Sequence, residues 1–411
     1  MLYLFYFIIT IELFTVFYNI FKFIIFKING KQFSTNGTPS SEPFQINILI
    51  PCYKEINVIE HTLDHFNNIT KNLKNIDIYV ITTEKEKCEN NVSLTTYEYL
   101  SGLDIAKLGN IHIINYPKTY GIMADQLNYG IKQILSNSKV PNDKIYFSIY
   151  NADSNPDDST FIELSKKISK NNFPIILQQY SNYFLNHTKQ NFLMKGFSIY
   201  QTAFEFRNGL INNSSKFLYS HVVGHGLTIR ADYITKIKGF NSDVWCEDIY
   251  LTGLLFNNSV KIISLESLDN AENPEKFSVQ IVQNAVWFKT ASHHFKLLKL
   301  MKKNYKITLY GFLWLLHELR ASLVWALMPL FLLYSFIYPV FIKNYSLLMI
   351  SICSYLIFVF VNYLANLIVV DKKRFGKYLK NYFSLALAIL FTGIGPVYSL
   401  FLKEKVKTPR S

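Results

Sequence analysis

Hydrophobic positions gather at the two ends of the chain, while the middle alternates short apolar runs with polar stretches. Leu2 to Phe26 is almost continuously apolar and, at about 1.5 Å per residue, is long enough to cross a hydrocarbon core of roughly 30 Å. The run outlasts a signal-peptide core, has no small-residue cleavage site and is followed by Lys27 and Lys31, so it predicts a retained membrane helix over 1–28. Ile307 to Ile342, Tyr345 to Val370 and Tyr382 to Leu402 are three further apolar blocks, which predict a membrane region over 307–402. Gln32 to Ser41 is polar and rich in breakers, which makes 29–44 a linker.

In the middle, Ile46–Ile50, Ile76–Ile81, Ile111–Ile114, Ile145–Ile149 and Ile175–Leu177 read as buried strands. Helix-compatible stretches lie between them at Val58–Leu73, Ala124–Leu135 and Ser159–Lys170. Alternation of this kind predicts an α/β domain whose mostly parallel sheet is covered on both faces. Ligands of such sheets bind beyond the carboxyl ends of the strands. Polar residues sit there: strand one runs into Pro51-Cys52-Tyr53-Lys54-Glu55, strand two into Thr82-Thr83-Glu84, and strand four into Asn151-Ala152-Asp153-Ser154-Asn155. No glycine-rich phosphate loop is present, so a bound nucleotide needs a metal for its phosphates. Asp153 suits a hard divalent cation, Mg or Mn; a turn-forming Asx cluster is the plainer reading of the same residues.

Charge changes the picture at the membrane. The chain has 42 Lys and Arg against 29 Asp and Glu, a surplus of 42 − 29 = +13. Part of it collects at 371–377 and in the tail 403–411, as positive-inside charge facing anionic headgroups rather than nucleic acid. Both basic segments belong on the cytoplasmic side, yet a single block separates them. Either Gly393-Ile394-Gly395-Pro396 breaks the last block into a re-entrant pair, or the block from Ile307 holds two segments. His317, Glu318 and Arg320 interrupt that block and read either as a lipid-phosphate or glycan contact or as a shallow interfacial stretch. The four cysteines, Cys52, Cys88, Cys246 and Cys353, lack disulfide or zinc spacing and fit a reducing cytoplasm.

Taken in order, several segments resemble the membrane-bound branch of the family 2 glycosyltransferases, which includes cellulose and hyaluronan synthases. Ile50-Pro51-Cys52-Tyr53-Lys54-Glu55 is similar to the opening Ile-Pro-Xaa-Tyr-Asn-Glu, and Met123-Ala124-Asp125-Gln126-Leu127-Asn128 to Lys-Ala-Xaa-Ala-Leu-Asn. Asn151-Ala152-Asp153 stands where Asp-Xaa-Asp belongs. Gly224 to Arg230 with Gly239-Phe240 resembles the acceptor-side segment, Cys246-Glu247-Asp248 the Glu-Asp motif, and Gln283-Asn284-Ala285-Val286-Trp287 the Gln-Xaa-Xaa-Arg-Trp motif. The match is collinear from Ile46 to Trp287.

The resemblance implies a GT-A fold over 45–288 and an inverting, metal-dependent transfer from a nucleotide sugar, a UDP-sugar, to a glycan or lipid-linked acceptor. It assigns Pro51, Tyr53, Glu55, Glu84 and Asn151 to the nucleotide, Asp153 to a Mn or Mg ion, and Asp248 to the general base. Asp248 opens the apolar-periodic stretch Ile249–Phe256, where an ordinary helix cap is the plainer reading. Glu247, Gln283 and Trp287 are assigned to acceptor and product, against core packing for the last two. Residues 289–306 are basic and partly apolar, as an interfacial helix requires, with His293 and His294 as interfacial polar residues. The whole is an inner-membrane protein with its catalytic domain in the cytoplasm.

Three positions depart from the family: Asn151 replaces the first Asp, Met123 a Lys, and Val286 an Arg, for which Lys289 or Arg230 are the substitutes in reach. Two other functions stay open beside transfer to a hydroxyl. One is transfer to a polyprenyl phosphate, and the other is a catalytically silent scaffold for glycan export.

Overall fold

The computed structural model describes residues 1–29, 42–88, 93–103, 110–215, 218–291, 293–369 and 382–402. Most of the linker, the basic segment 371–377 and the tail 403–411 lie outside these residues. The chain divides into two compact units, one of residues 34–181 and 222–271, the other of 1–33, 182–221 and 272–411. Residues 182–221 and 272–288, read from sequence as part of the 45–288 domain, thus group with the apolar helices.

In the first unit the described strands form a seven-stranded sheet: β1 Gln45–Pro51, β2 Ile76–Thr83, β3 Ile111–Tyr116, β4 Ile145–Ile149, β5 Ile176–Gln178, β6 Leu227–Arg230 and β7 Ile262–Ser264. Their order is β3-β2-β1-β4-β6-β5-β7. The first four run parallel, β6 is antiparallel to both its neighbours, and β7 is parallel to β5. All five strands predicted from apolar runs are present, because a strand in the middle of a covered sheet reads as a near-continuous apolar run. The strands β6 and β7, four and three residues long, add to them.

Helices cover both faces. Ile56–Thr70 buries Ile59, Leu63 and Phe66, and Thr160–Lys170 buries Phe161, Leu164 and Ile168, all at helical spacing. These side chains share one core with Ile46, Ile48 and Ile50 of β1. Helix Met123–Asn137 packs on the opposite face, and its Gly130 approaches so closely that a Cβ there would stand 2.4 Å from Ile81 Cδ1. A side chain there would require Ile81 to move aside.

In the second unit, four helices among the described residues are long and apolar enough to cross a membrane: Leu2–Asn29, Leu309–Phe341, Tyr345–Leu367 and Tyr382–Ser399. The block from Ile307 forms one continuous helix despite Pro329 and Pro339, so it does not hold two segments. The last block does break, into Tyr382–Phe391 and Ile394–Ser399, at the glycine-rich point seen in sequence. Helix Phe192–Glu205 lies against it, with Gly196 so close that a Cβ would reach 2.0 Å from the Ser384 carbonyl oxygen. Helix His294–Asn304 buries Leu297 and Met301 and leaves Lys296, Lys299, Lys302 and Lys303 exposed, the amphipathic form expected of an interfacial helix.

Candidate active site

Because β2, β1, β4 and β6 are adjacent, their ends make a continuous row along one sheet edge. Thr83 leads into Glu84, Pro51 ends β1, and Asn151 follows β4 closely. Strand β6 runs the other way, with Leu227 beside Ile149, so the segment Gly224–Gly226 enters at the same edge. Residues 224–226 and 151–155 therefore meet although more than one strand of sequence separates them.

The link between them is Asp269, which is 1% exposed. Its carboxylate accepts from Ser154 Oγ at 3.0 Å and from the Asn155 amide at 2.8 Å, which holds the turn after β4. The same turn is closed by the Ser154 amide on the Asn151 carbonyl and by the Asn151 amide on Ser154 Oγ, both at 3.1 Å. On its other side Asp269 lies 3.6 Å from His225 Nδ1, and Ser181 Oγ touches both groups. From His225 the chain passes to Gly224, whose amide donates to Asp248 Oδ2 at 3.0 Å. A Cβ on Gly224 would stand 3.6 Å from Glu247 Oε1 and 3.7 Å from Asp248 Oδ2, so both acids of the Glu-Asp pair lie over this loop. Gly226 has φ of +63°, and a Cβ there would come within 2.6 Å of the Gln179 carbonyl oxygen; the loop needs glycine at that point.

Asp248 sits in the first turn of helix Glu247–Asn257, after Cys246 as the residue before it. It is not the helix cap. Its carboxylate is held by the Gly224 and Ile249 amides at 3.0 and 2.8 Å.

At the β1 and β2 ends, the organising group is another buried acid. Glu86, 1% exposed, accepts from the Lys54 and Thr96 amides at 2.7 Å each, and Thr96 Oγ1 accepts from the Glu55 amide at 3.1 Å. Lys54 is held at a φ of +59°. The loop that carries Tyr53 and the buried Glu55 is thereby fixed. Lys54 and Lys85 place their ammonium groups 5.6 and 5.2 Å from the Tyr53 ring centroid. Glu84 is engaged by Lys87 at 2.7 Å and by Asn115 Nδ2; these contacts, Lys87 first, hold its carboxyl below the usual carboxylate range.

Among the described residues no group of three His, Cys, Asp or Glu side chains makes a metal cage. The donors at the 151–153 turn are hard oxygens, which match Mg or Mn, and such ions are normally held by one or two carboxylates completed by substrate phosphates. Half-buried Asp153 fits a cation that arrives with a diphosphate.

One expectation needs correction. Arg230 stands beside Tyr146, at the far end of antiparallel β6, about 10 Å of strand from Leu227. There it pairs with Asp232 at 2.7 Å, at the wrong edge to replace the missing arginine. Lys289 donates to the Ser399 carbonyl at 2.8 Å, at the end of helix Ile394–Ser399. Gln283 and Trp287, both half-buried on helix Phe277–Ala291, belong to the other unit, where Gln283 Oε1 accepts from Gln280 at 3.2 Å. Asp269 and Glu86 went unnoticed in the sequence reading, since neither lies in a recognisable motif.

No protein-family model and no curated protein matches the chain. Among solved structures, it is similar to the mannosyltransferase PcManGT from Pyrobaculum calidifontis in complex with GDP-Man and Mn2+, with a TM-score of 0.54 at 11% identity over 97% of this chain and 99% of that one. A weaker likeness is to residues 1–349 of S. aureus TarS in complex with UDP-GlcNAc, with a TM-score of 0.45 at 12% identity over 87% and 92% of the two chains. The chain has a GT-A-type α/β fold accompanied by four long apolar helices.

Proposed function

We propose that the chain is an inverting glycosyltransferase that moves a sugar from a nucleotide sugar, a UDP-sugar, to a hydroxyl acceptor in surface-glycan synthesis. Its α/β unit works on the cytoplasmic side of the membrane that the apolar helices cross. The observation that carries this reading is the tie, at one sheet edge, from the Asn151–Asp153 turn through Asp269 and His225 to the Gly224 amide and Asp248. The GT-A-type fold supports it.

In this reading Pro51, Tyr53, Glu55 and Glu84 receive the nucleoside, with Asn151 beside them. Lys54 and Lys85, flanking Tyr53, supply positive charge near the donor that Met123 and Val286 do not. Asp153 holds a Mn or Mg ion, which when bound neutralises charge on the leaving diphosphate as a Lewis acid. Asp248 takes the proton of the acceptor hydroxyl while that oxygen attacks the anomeric carbon from the side opposite the diphosphate. The new glycosidic bond forms as the bond to the diphosphate breaks, and the proton ends on the carboxylate. The Gly224 and Ile249 amides keep that carboxylate in one orientation. Glu247, next to Asp248 in the same helical turn, serves the acceptor.

The test is incubation of the purified full-length protein with Mn and radiolabelled nucleotide sugars, UDP-linked and GDP-linked, followed by NMR of the anomeric configuration of the product. Transfer from a UDP-sugar with inverted configuration is expected. Retained configuration, or no consumption of any donor, would reject the reading.

A further inference from the structure

Segment 222–226 joins the two halves of the proposed site, and its backbone is held residue by residue. The Val222 amide donates to Thr252 Oγ1 at 3.2 Å, the Val223 amide to Gln178 Oε1 at 3.0 Å and the Gly224 amide to Asp248 Oδ2 at 3.0 Å. Farther along, the His225 carbonyl accepts from Gln178 Nε2 at 2.9 Å and the Gly226 carbonyl from the Gln179 amide at 2.8 Å. Gln178, which supplies two of these contacts, is 0% exposed in β5. None of the five uses the His225 side chain.

That side chain has other partners. Its Nδ1 lies 3.1 Å from Ser181 Oγ and 3.6 Å from Asp269 Oδ2, and Ser181 Oγ donates to the same carboxylate oxygen at 3.4 Å. Asp269 in turn is joined firmly to the segment after β4. Its amide donates to the Tyr180 carbonyl at 3.1 Å, its Oδ1 accepts from the Asn155 amide at 2.8 Å, and Pro156 pairs with it in an antiparallel bridge. On either side of it, the Asn270 amide donates to the Asn155 carbonyl and the Asp157 amide to the Leu268 carbonyl, both at 2.9 Å. The imidazole therefore reaches from the loop that aims Asp248 to the strand that carries the end of the Asn151–Asp153 turn.

A ring is suited to this place. It is a flat, stiff spacer, and a carboxylate beside one nitrogen fixes its orientation. Displacement at an anomeric carbon needs the base on one side and the leaving diphosphate on the other at a set separation, and a misplacement of about 1 Å can cost up to about 10²-fold in rate. The separation of Asp248 from the donor turn is what such a spacer controls.

We infer that His225 is a positioning residue for sugar transfer: through Nδ1 its ring, seated on Asp269 and Ser181, sets the place of the Asp248 carboxylate relative to the Asn151–Asp153 turn. The inference rests on the proposed transfer reaction. It gives His225 no contact with the sugar or the metal.

The test compares wild type with His225→Ala, His225→Asn and His225→Gln in the purified full-length protein with Mn and the nucleotide sugar that wild type consumes, recording kcat and the donor Kd separately. His225→Ala should lower kcat about tenfold and leave the donor Kd within about twofold, since the donor-binding residues are untouched. The Asn amide nitrogen stands as many bonds from the backbone as Nδ1, so His225→Asn should recover to within about threefold of wild type. The Gln nitrogen corresponds to Nε2 instead, and His225→Gln should stay as low as His225→Ala. If His225→Ala does not fold, the ranking of Asn over Gln decides alone. Wild-type kcat in His225→Ala, recovery by Gln in place of Asn, or a loss that appears only in donor affinity would overturn the role and leave the transfer reaction standing. No consumption of any donor by wild type would reject the transfer reaction, and this role with it.

Discussion

Buried charge is treated in opposite ways in the two units. In the α/β unit Glu86 and Asp269 are each 1% exposed, and each is supplied with donors by the chain itself: two backbone amides for Glu86, and an amide, two hydroxyls and a histidine ring for Asp269. In the apolar-helix unit Lys22 is 2% exposed, and its ammonium meets the ring of Tyr18 at 5.6 Å instead. The first arrangement fixes the loops at the sheet edge. The second sets a lysine against an aromatic face within a long apolar helix. Burial of a charge therefore says little until its partners are known.

The contrast can be broken or sharpened by substitution. Asp153→Asn is expected to have the largest effect, a fall in Mn-dependent turnover on the order of 10²-fold, because a neutral amide holds a hard cation far more weakly than a carboxylate does. Steady-state rates across a Mn titration check it, and an equal rate at all Mn concentrations would count against the assignment. Asp269→Ala should cost about 3 kcal/mol, since it leaves the Asn155 amide and two hydroxyls without their acceptor in a buried place. Calorimetry should find the midpoint lowered by about 6–12 °C. Glu86→Gln comes next, at about 1–3 kcal/mol, because the amide nitrogen would face a backbone N–H of Lys54 or Thr96.

The smallest effect belongs to Glu84→Gln, below about 1 kcal/mol, as expected for a pair with a largely solvated lysine. Its sign with pH is fixed: a carboxyl held below its ordinary range stabilises the fold above that range and loses the contribution as the pH falls through the lowered value. The difference between wild type and Glu84→Gln in denaturant titrations should therefore be present at neutral pH and vanish in acid. A difference that grows in acid would show that Glu84 is not engaged as a carboxylate.

The central strands were legible because isoleucine-rich runs such as Ile145–Ile149 must be buried on both faces. Strand β6 was not, because Leu227-Thr228-Ile229-Arg230 is short, and its Thr228 is satisfied inside the sheet by Ser148, a contact that no local pattern announces. Missing that strand and its direction is what put Arg230 at the wrong edge. Glu86 lies in Glu84-Lys85-Glu86-Lys87, an alternating run that reads as solvated surface, and only the fold turns it inward beneath Lys54 and Thr96. Asp269 contacts residues more than a hundred positions away, beyond the reach of spacing arguments. Lys22 was hidden for the opposite reason: a single cation in a long apolar run is easily absorbed into the span that surrounds it. Positions 51, 53, 151, 153 and 248, by contrast, lie where strand ends and helix starts are easily foreseen, and the structure places them on the same α/β unit.

The most direct measurement is the comparison of wild type with Asp248→Asn, recording turnover and donor affinity separately on the purified protein with Mn. The account predicts turnover lower by roughly 10²-fold or more with the donor dissociation constant unchanged, the signature of a lost base. Near-normal turnover, or a loss that appears only as weakened donor binding, would contradict it.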